Sequence, residues 1–253
     1  MLMKKILYLL ACVSVLVSCA DQYNIQGSST VSVLDGSKLY LKVFKEKDLS
    51  NLDSCEVVHG EFHFAGLLDT TYMATLFMGE QSIMPLVVEK GNIVIHIDNA
   101  QQKVSGTPLN DILYDFLDKH TRLDNQMQEL DHRYSQMLLE GIDEDEINRI
   151  VTAEGAVIMQ QEDSLVSDFV TSNFENVLGP FVFVHMSSSV PQVEHIMSKA
   201  PESFKRISFV DEFYKHVTDA GETHKAEPVA PLNDGEIDDA TLQDILNGNG
   251  NTH

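Results

Sequence analysis

The chain has 253 residues, of which 39 are Asp or Glu and 17 are Lys or Arg, a formal net charge of −22 at pH 7. Nucleic-acid binding rests on neutralising phosphates with basic side chains, so this composition excludes that class and offers no basic patch for anionic headgroups. Three cysteines in such a length exclude a disulfide-stapled scaffold, and the chain is long enough to bury a core without one.

Met1-Leu2-Met3-Lys4-Lys5 is a short basic start, Ile6 to Val17 runs apolar, and Leu16-Val17-Ser18-Cys19 closes the segment. That order is a secretory signal, and its apolar run falls short of the ~20 residues that span a bilayer. An ordinary cleavage site takes small residues in an Ala-x-Ala pattern. The ending Leu-Val-Ser-Cys instead resembles a bacterial lipobox, which implies a diacylglycerol on the Cys19 sulfur and cleavage before Cys19. Two or three acyl chains, at ~0.8 kcal/mol per buried methylene, hold a protein stably at a membrane. The expected location is the cell envelope, with the outer membrane favoured and a periplasmic or surface face. Asp21 resembles the inner-membrane retention signal of enteric bacteria, so the membrane itself stays open here. Loss of residues 1–18 leaves 235 residues, with 15 basic against 39 acidic side chains and a net charge of −24. Cys12 leaves with the signal and Cys19 is acylated, so Cys55 stands alone and cannot form an intramolecular disulfide.

Residues from 19 to 106 predict a β domain of about seven strands, an antiparallel sandwich. Tyr23 to Gly27 is a short extended start, and Leu39, Leu41 and Val43 alternate onto one face of the next strand. Leu52 to Val58 and Glu61 to Gly66 flank His59-Gly60, a two-residue turn expected to pair Val57 with Phe62 and Cys55 with Phe64. That register makes Cys55 a buried apolar side chain. Tyr72 to Met78, Ile83 to Glu89 and Asn92 to Asp98 continue the pattern, with Lys90-Gly91 expected as a hairpin turn.

The period changes at Gly106-Thr107-Pro108, where Thr107 suits an N-cap and Pro108 the first helical position. A helical domain is expected over 107–220. Leu109, Ile112, Leu113, Phe116 and Leu117 form one apolar stripe, prolonged by Leu123, Met127, Leu130, Tyr134 and Leu138 toward Gly141. Asp143 to Glu146 reads as a capping box opening a second long helix through Ile147, Ile150, Val151, Ile158, Leu165 and Phe169. The short connection implies an αα-hairpin, and shorter helices are expected near 176–187, 191–199 and 202–218. From 221 to 253, seven acids against Lys225 predict a solvated tail, within which Ile237 to Leu246 carries a short amphipathic pattern. The fold class is therefore α+β.

With both halves laid out, several segments carry a resemblance. They are Tyr23-x-Ile25-x-Gly27, Leu52-Asp53-Ser54, Gly60-x-Phe62-x-Phe64-x-Gly66, Val88-Glu89-x-Gly91-Asn92-Ile93 and Val104-x-Gly106-Thr107-x-x-Asn110. Their order and spacing resemble domain of unknown function 4369, with a likeness running from about 23 to 218. That domain is the N-terminal half of thioredoxin-like or alkyl hydroperoxide reductase-like lipoproteins of Gram-negative gut anaerobes. The thioredoxin domain of those relatives, with its Trp-Cys-x-x-Cys, has no counterpart here: this sequence holds no Trp and no Cys after Cys55. Their redox activity is therefore not carried over.

The remaining chemistry is sparse. His59 and His63 are spaced i, i+4 but lie around a strand turn, and His96 occupies the polar phase of its strand, where it could share an outer face with His63. Three or four converging ligands would be needed for a metal, and solvent-exposed sheet histidines are the simpler reading. His120, Asp124 and Asp131 read as the wet face of the long helix. Asp143 to Glu146 lacks the Asp-x-Asp-x-Asp-Gly loop of an EF-hand, and Gly-x-Ser-x-Gly, phosphate-loop and dinucleotide patterns are absent. The expectation is a non-enzymatic binding or interaction module with no cofactor and no metal, whose one functional residue is the lipid-attachment Cys19. Its partners would be the membrane, through the lipid, and a protein. The alternative is an accessory subunit of thiol-redox or peroxide metabolism, working in trans with a separate thioredoxin-like protein.

Overall fold

The computed structural model describes residues 21–45 and 48–223. Cys19 with its signal, and the tail expected beyond the last helix, lie outside the described residues. Eight strands come first: β1 (Gln22–Ser29), β2 (Lys38–Lys45), β3 (Asp48–Glu56), β4 (Glu61–Leu67), β5 (Tyr72–Met78), β6 (Gln81–Val88), β7 (Gly91–Ile97) and β8 (Gln102–Ser105). Six helices follow: α1 (Pro108–Leu139), α2 (Glu144–Ser172), α3 (Leu178–Met186), α4 (Val190–Lys199), α5 (Glu202–Lys205) and α6 (Ser208–Thr223). The fold is α+β, with strands and helices segregated along the chain as the change of period at Gly106 requires. No described helix is long and apolar enough to cross a membrane.

The strands form two four-stranded sheets, in the orders β4-β1-β7-β8 and β3-β2-β5-β6. Each buries alternate residues. Tyr23, Ile25, Phe62, Phe64, Ile93, Ile95, Ile97 and Val104 are buried in the first, and Leu39, Leu41, Val43, Ala74, Leu76, Met84 and Leu86 in the second. Full burial of one such side chain contributes about 1.5–3 kcal/mol, so this face of each sheet is what fixes its register. The expected face of Leu39, Leu41 and Val43 is found.

Two expectations about pairing are corrected. The sheet is not wholly antiparallel, because β1 pairs antiparallel with β4 and parallel with β7. Neither His59-Gly60 nor Lys90-Gly91 closes a hairpin between its flanking strands, since β3 and β6 lie in one sheet and β4 and β7 in the other. The turn at His59-Gly60 is real, with φ of 54° and 77°, but it supports only the single bridge Val58↔Glu61 before the strands part. The physical reason is that β1 pairs with β4 in place of β3, and β1 and β8 together occupy both edges of β7, while β3 and β6 pair within the other sheet. Phe62 therefore pairs with Gly27, and Phe64 with Ile25. A tight hairpin forms instead at β5–β6, closed at Gly79-Glu80 between Met78 and Gln81.

Glycine and aromatic residues alternate across β1 and β4. Tyr23 stands opposite Gly66 and Phe62 opposite Gly27. A Cβ on Gly27 would fall inside the Phe62 ring, and one on Gly66 would meet the Tyr23 ring at 2.8 Å. Each ring lies over the partner's bare backbone, which explains why Tyr23-x-Ile25-x-Gly27 recurs in the same order as Phe62-x-Phe64-x-Gly66 on the antiparallel neighbour.

The chain divides into two compact units, one of residues up to Leu41 with Asp53–Asp111, the other of Lys42–Leu52 with the chain from Ile112. In the second, α1 and α2 run antiparallel, as shown by the Phe116–Phe169 ring contact and the Arg133–Glu154 ion pair. At 1.5 Å per residue their 32 and 29 residues measure about 48 and 44 Å. Gly141, at φ 78°, ends α1, and Ile142 N–H returns to the Met137 carbonyl. Asp143 caps α2 by accepting from the backbone N–H of Asp145 and Glu146, as its position predicts. Phe116, Val166, Val170, Val182, Phe183, Val193, Ile196 and Phe204 form the core of this unit. The helix expected over 202–218 is two, broken at Arg206-Ile207, with α6 opened by the Ile207 carbonyl accepting from Asp211.

Candidate functional site

Three places gather polar side chains. The first lies where β6 ends and α1 begins. Leu109 and Asn110 need acceptors for the free N–H groups of a helix start. The carboxylate of Glu89, twenty residues earlier, supplies them at 2.8 and 3.2 Å. Thr107 holds the expected cap position, and its carbonyl accepts from Asp111. Its hydroxyl, though, accepts from Asn110 Nδ2 at 2.9 Å rather than capping the backbone. Asn110, fully buried, also accepts from Val87 N–H at 2.9 Å and donates to the Val87 carbonyl at 2.7 Å. β6 is an edge strand, so the Asn110 amide serves Val87 as a one-residue strand partner. Glu89, Thr107 and Asn110 are thus structural, joined through a sharp turn at Gly106, whose φ of 94° and contact with the Asn92 carbonyl admit no side chain.

The second is the outer face of the first sheet. His63 on β4, Asn24 on β1 and Asn92 on β7 form a ladder, with His63 Nε2 2.5 Å from Asn24 Oδ1 and Asn24 Nδ2 donating to Asn92 Oδ1 at 2.9 Å. Two rows along from Asn24 and Asn92, Ser28 Oγ lies 3.2 Å from His96 Nδ1, and His96 Nε2 is 3.3 Å from Asp98. His63 and His96 therefore share the outer face, but in different rows, with β1 between their strands; they do not converge on one ion. Backbone N–H groups of Ala100 and Gln101 hold the Asp98 carboxyl below the usual carboxylate range.

An open recess of about 490 Å³ adjoins this face, lined by Gln26, Cys55, Glu56, Val58, Glu61, Phe62 and His63. Cys55 is half-buried rather than core, and it does not pair with Phe64. Burial pushes its thiol up to about 11, with the Asp53 charge adding to the rise and a hydrogen bond from the His63 backbone opposing it. A thiol that stays protonated at neutral pH is a poor nucleophile. The neighbouring Tyr23 hydroxyl donates to Asp53 at 3.3 Å, and burial with that carboxylate pushes it up to about 12.

The third place is between α1 and α2. His120 Nδ1 lies 3.0 Å from Asp124 Oδ2, and His120 Nε2 lies 3.0 Å from Glu162 Oε1. The Phe116 ring stands 6.2 Å from the imidazole. The wet-face reading is corrected for His120: its side chain is only 16% exposed, in helical phase with Phe116, Leu123 and Met127. Asp131 is exposed and takes no part. Glu162, which completes the group, was not visible in the sequence as a candidate, because only the hairpin register brings it opposite His120. The signal available was His120's own place, three or four residues from stripe positions on either side. Among the described residues, His120, Asp124 and Glu162 alone bring three donor atoms close enough together to hold a metal ion, all within 4.8 Å of one another.

Four of the five segments that carry the resemblance fall in the ring-over-glycine pairs of the first sheet and in the first of these places. The Tyr23–Gly27 and Gly60–Gly66 motifs are the ring-over-glycine pairs, and the Val88–Ile93 and Val104–Asn110 motifs are the sheet-to-helix junction. No curated protein matches the chain. A family model described as a domain of unknown function (DUF4369) matches residues 23–113, the two sheets together with the start of α1. Residues 23–113 are therefore a DUF4369 domain, a domain whose function is not known.

Proposed function

We propose that the protein is a cell-envelope lipoprotein, held to the membrane by lipid on Cys19, that works as a non-catalytic binding or interaction module. The observation that carries this reading is the order of basic start, short apolar run and Leu16-Val17-Ser18-Cys19 at the head of the sequence. Two features support the binding half. The outer face of the first sheet sets Asn24, Gln26, His63, Asn92 and His96 side by side on strands whose buried faces fix them. The thiol of Cys55, beside that face, is held in its unreactive form.

Metabolic labelling with an alkyne-bearing fatty acid tests the anchor: the wild-type chain takes up label and partitions with membranes, and Cys19→Ser does neither. A Cys19→Ser chain that stays in the membrane fraction contradicts it. Turnover by the purified protein, abolished by a point change that leaves the fold intact, contradicts the non-catalytic half. A second reading, an accessory role in trans with a thioredoxin-like protein, rests on the resemblance to modules fused to such domains. It requires co-purification of a thioredoxin-like partner.

A further inference from the structure

We propose that His120 and Glu162 bind a first-row divalent cation between α1 and α2, with Asp124 fixing the imidazole that faces it. His120 and Asp124 stand on successive turns of α1, and Glu162 comes from the opposite helix. The ring nitrogens lie 3.0 Å from one carboxylate oxygen each. A neutral imidazole carries a single N–H. When Nδ1–H donates to Asp124, Nε2 turns a lone pair toward Glu162 Oε1, and two electron-rich atoms stand 3.0 Å apart. A cation between them turns this repulsion into ligation. Two bonds of ~2.1 Å at the tetrahedral angle place their ligand atoms ~3.4 Å apart, so the 3.0 Å pair need open only by a few tenths of an ångström to hold a cation.

The surroundings fit the same assignment. A carboxylate on the far ring nitrogen is the usual device for fixing the tautomer and basicity of a metal-bound histidine. Exposure follows the roles: the side chain of His120 is 16% exposed, Glu162 30% and Asp124, the outer partner, 47%. Phe116 beside the imidazole, with Phe169 at 4.1 Å behind it, makes one wall apolar and limits competing water. Among the described residues no lysine or arginine pairs with Asp124 or Glu162, so no fixed side-chain cation competes for either carboxylate. One imidazole nitrogen and the two oxygens of the Glu162 carboxylate supply three ligand atoms, completed by water, a set that suits zinc or manganese better than magnesium or calcium, and zinc precedes manganese in affinity. This site is independent of the Cys19 anchor.

The test is calorimetric titration of the full-length protein, stripped with a chelator, with Zn²⁺. Expected is a saturable one-site event that Glu162→Gln and His120→Ala abolish. Asp124→Asn weakens it ~10–100-fold, as loss of an outer partner does. A His63→Ala/His96→Ala double variant keeps wild-type affinity, which separates this site from the sheet histidines. Glu162→Gln is isosteric, and an unchanged helical circular dichroism spectrum shows that its effect is not unfolding. The proposal is overturned if the wild type shows no saturable event, or if Glu162→Gln binds as the wild type does. It is also overturned if nitrogen NMR finds both His120 ring nitrogens protonated at pH 7.5 in excess Zn²⁺, because an imidazolium donating to both carboxylates has no lone pair to give.

Discussion

Replacing Asn110 by Ala removes three hydrogen bonds in a fully buried place: from Val87 N–H at 2.9 Å, to the Val87 carbonyl at 2.7 Å and to Thr107 Oγ1 at 2.9 Å. Val87 is itself fully buried, so its two backbone groups are left without partners. Each buried group stripped of its partner costs about 1–3 kcal/mol, and partial relaxation brings the sum to about 3 kcal/mol. For a domain of this size that lowers the melting temperature by roughly 10 °C. The chain lacks Trp, so unfolding is best followed by far-ultraviolet circular dichroism together with tyrosine fluorescence. Asn110→Asp is the sharper control. It keeps an acceptor for Val87 N–H, loses both donors and sets a charge against the Val87 carbonyl, so it should destabilise at least as much at neutral pH. Its deficit should shrink in acid, where the protonated carboxyl regains a donor. If Asn110→Ala melts within about 2 °C of the wild type, the amide is not serving the strand edge and the reasoning fails.

Gly27→Ala forces a methyl group into the Phe62 ring and should destabilise by about 1–3 kcal/mol in chemical denaturation, with Phe62→Leu relieving part of the loss. Cys55, raised from 9.0 to about 11, should alkylate slowly at pH 8 and reach half its limiting rate near pH 11; rapid labelling at pH 8 by iodoacetamide would contradict its buried setting. Tyr23 moves from 10.0 to about 12 on folding, so the unfolded chain releases that proton first. Stability present below pH 10 should therefore be lost as pH rises through 10 to 12, and denaturant midpoints of Tyr23→Phe should fall less steeply there. Asp143→Ala leaves the Asp145 and Glu146 N–H groups uncapped at the head of α2 and should cost about 1 kcal/mol, measured by denaturant midpoint.

Local signals are legible in the sequence wherever chemistry and geometry share a short window. Gly141 ends α1 and Asp143 opens α2 because both effects act within four residues. The alternation of Leu39, Leu41 and Val43 reports burial directly. Strand partnership is different. His59-Gly60 has the backbone of a tight turn, yet no sequence window around it contains β1, the strand that claims β4 from more than thirty positions earlier. Glu89 shows the same limit: an acid at a strand end gives no sign of capping a helix whose first turn lies twenty residues on. His120 is legible as a stripe position, though its polarity suits the wet face equally; Glu162 meets it only through the hairpin register, which no sequence window contains. All three polar gatherings are thus products of tertiary pairing, and the motifs that carry the resemblance record the joints of the domain more than a reactive site.

The placement of β1 also has a consequence for how the chain comes together. It is the first synthesised of the described strands, yet it lies inside its sheet, with β4 on one side and β7 on the other. Asn24 waits for Asn92, 68 residues further along. Until β7 arrives, β1 presents an unpaired edge flanked by Ile25 and Tyr23, which are buried once folding is complete. Closure across such a separation is slow compared with the local hairpin β5–β6, so the second sheet has a nucleus before the first can be finished. A nascent domain of this topology is most exposed to aggregation at its N-terminal strand, during the interval in which residues 30–90 are already made.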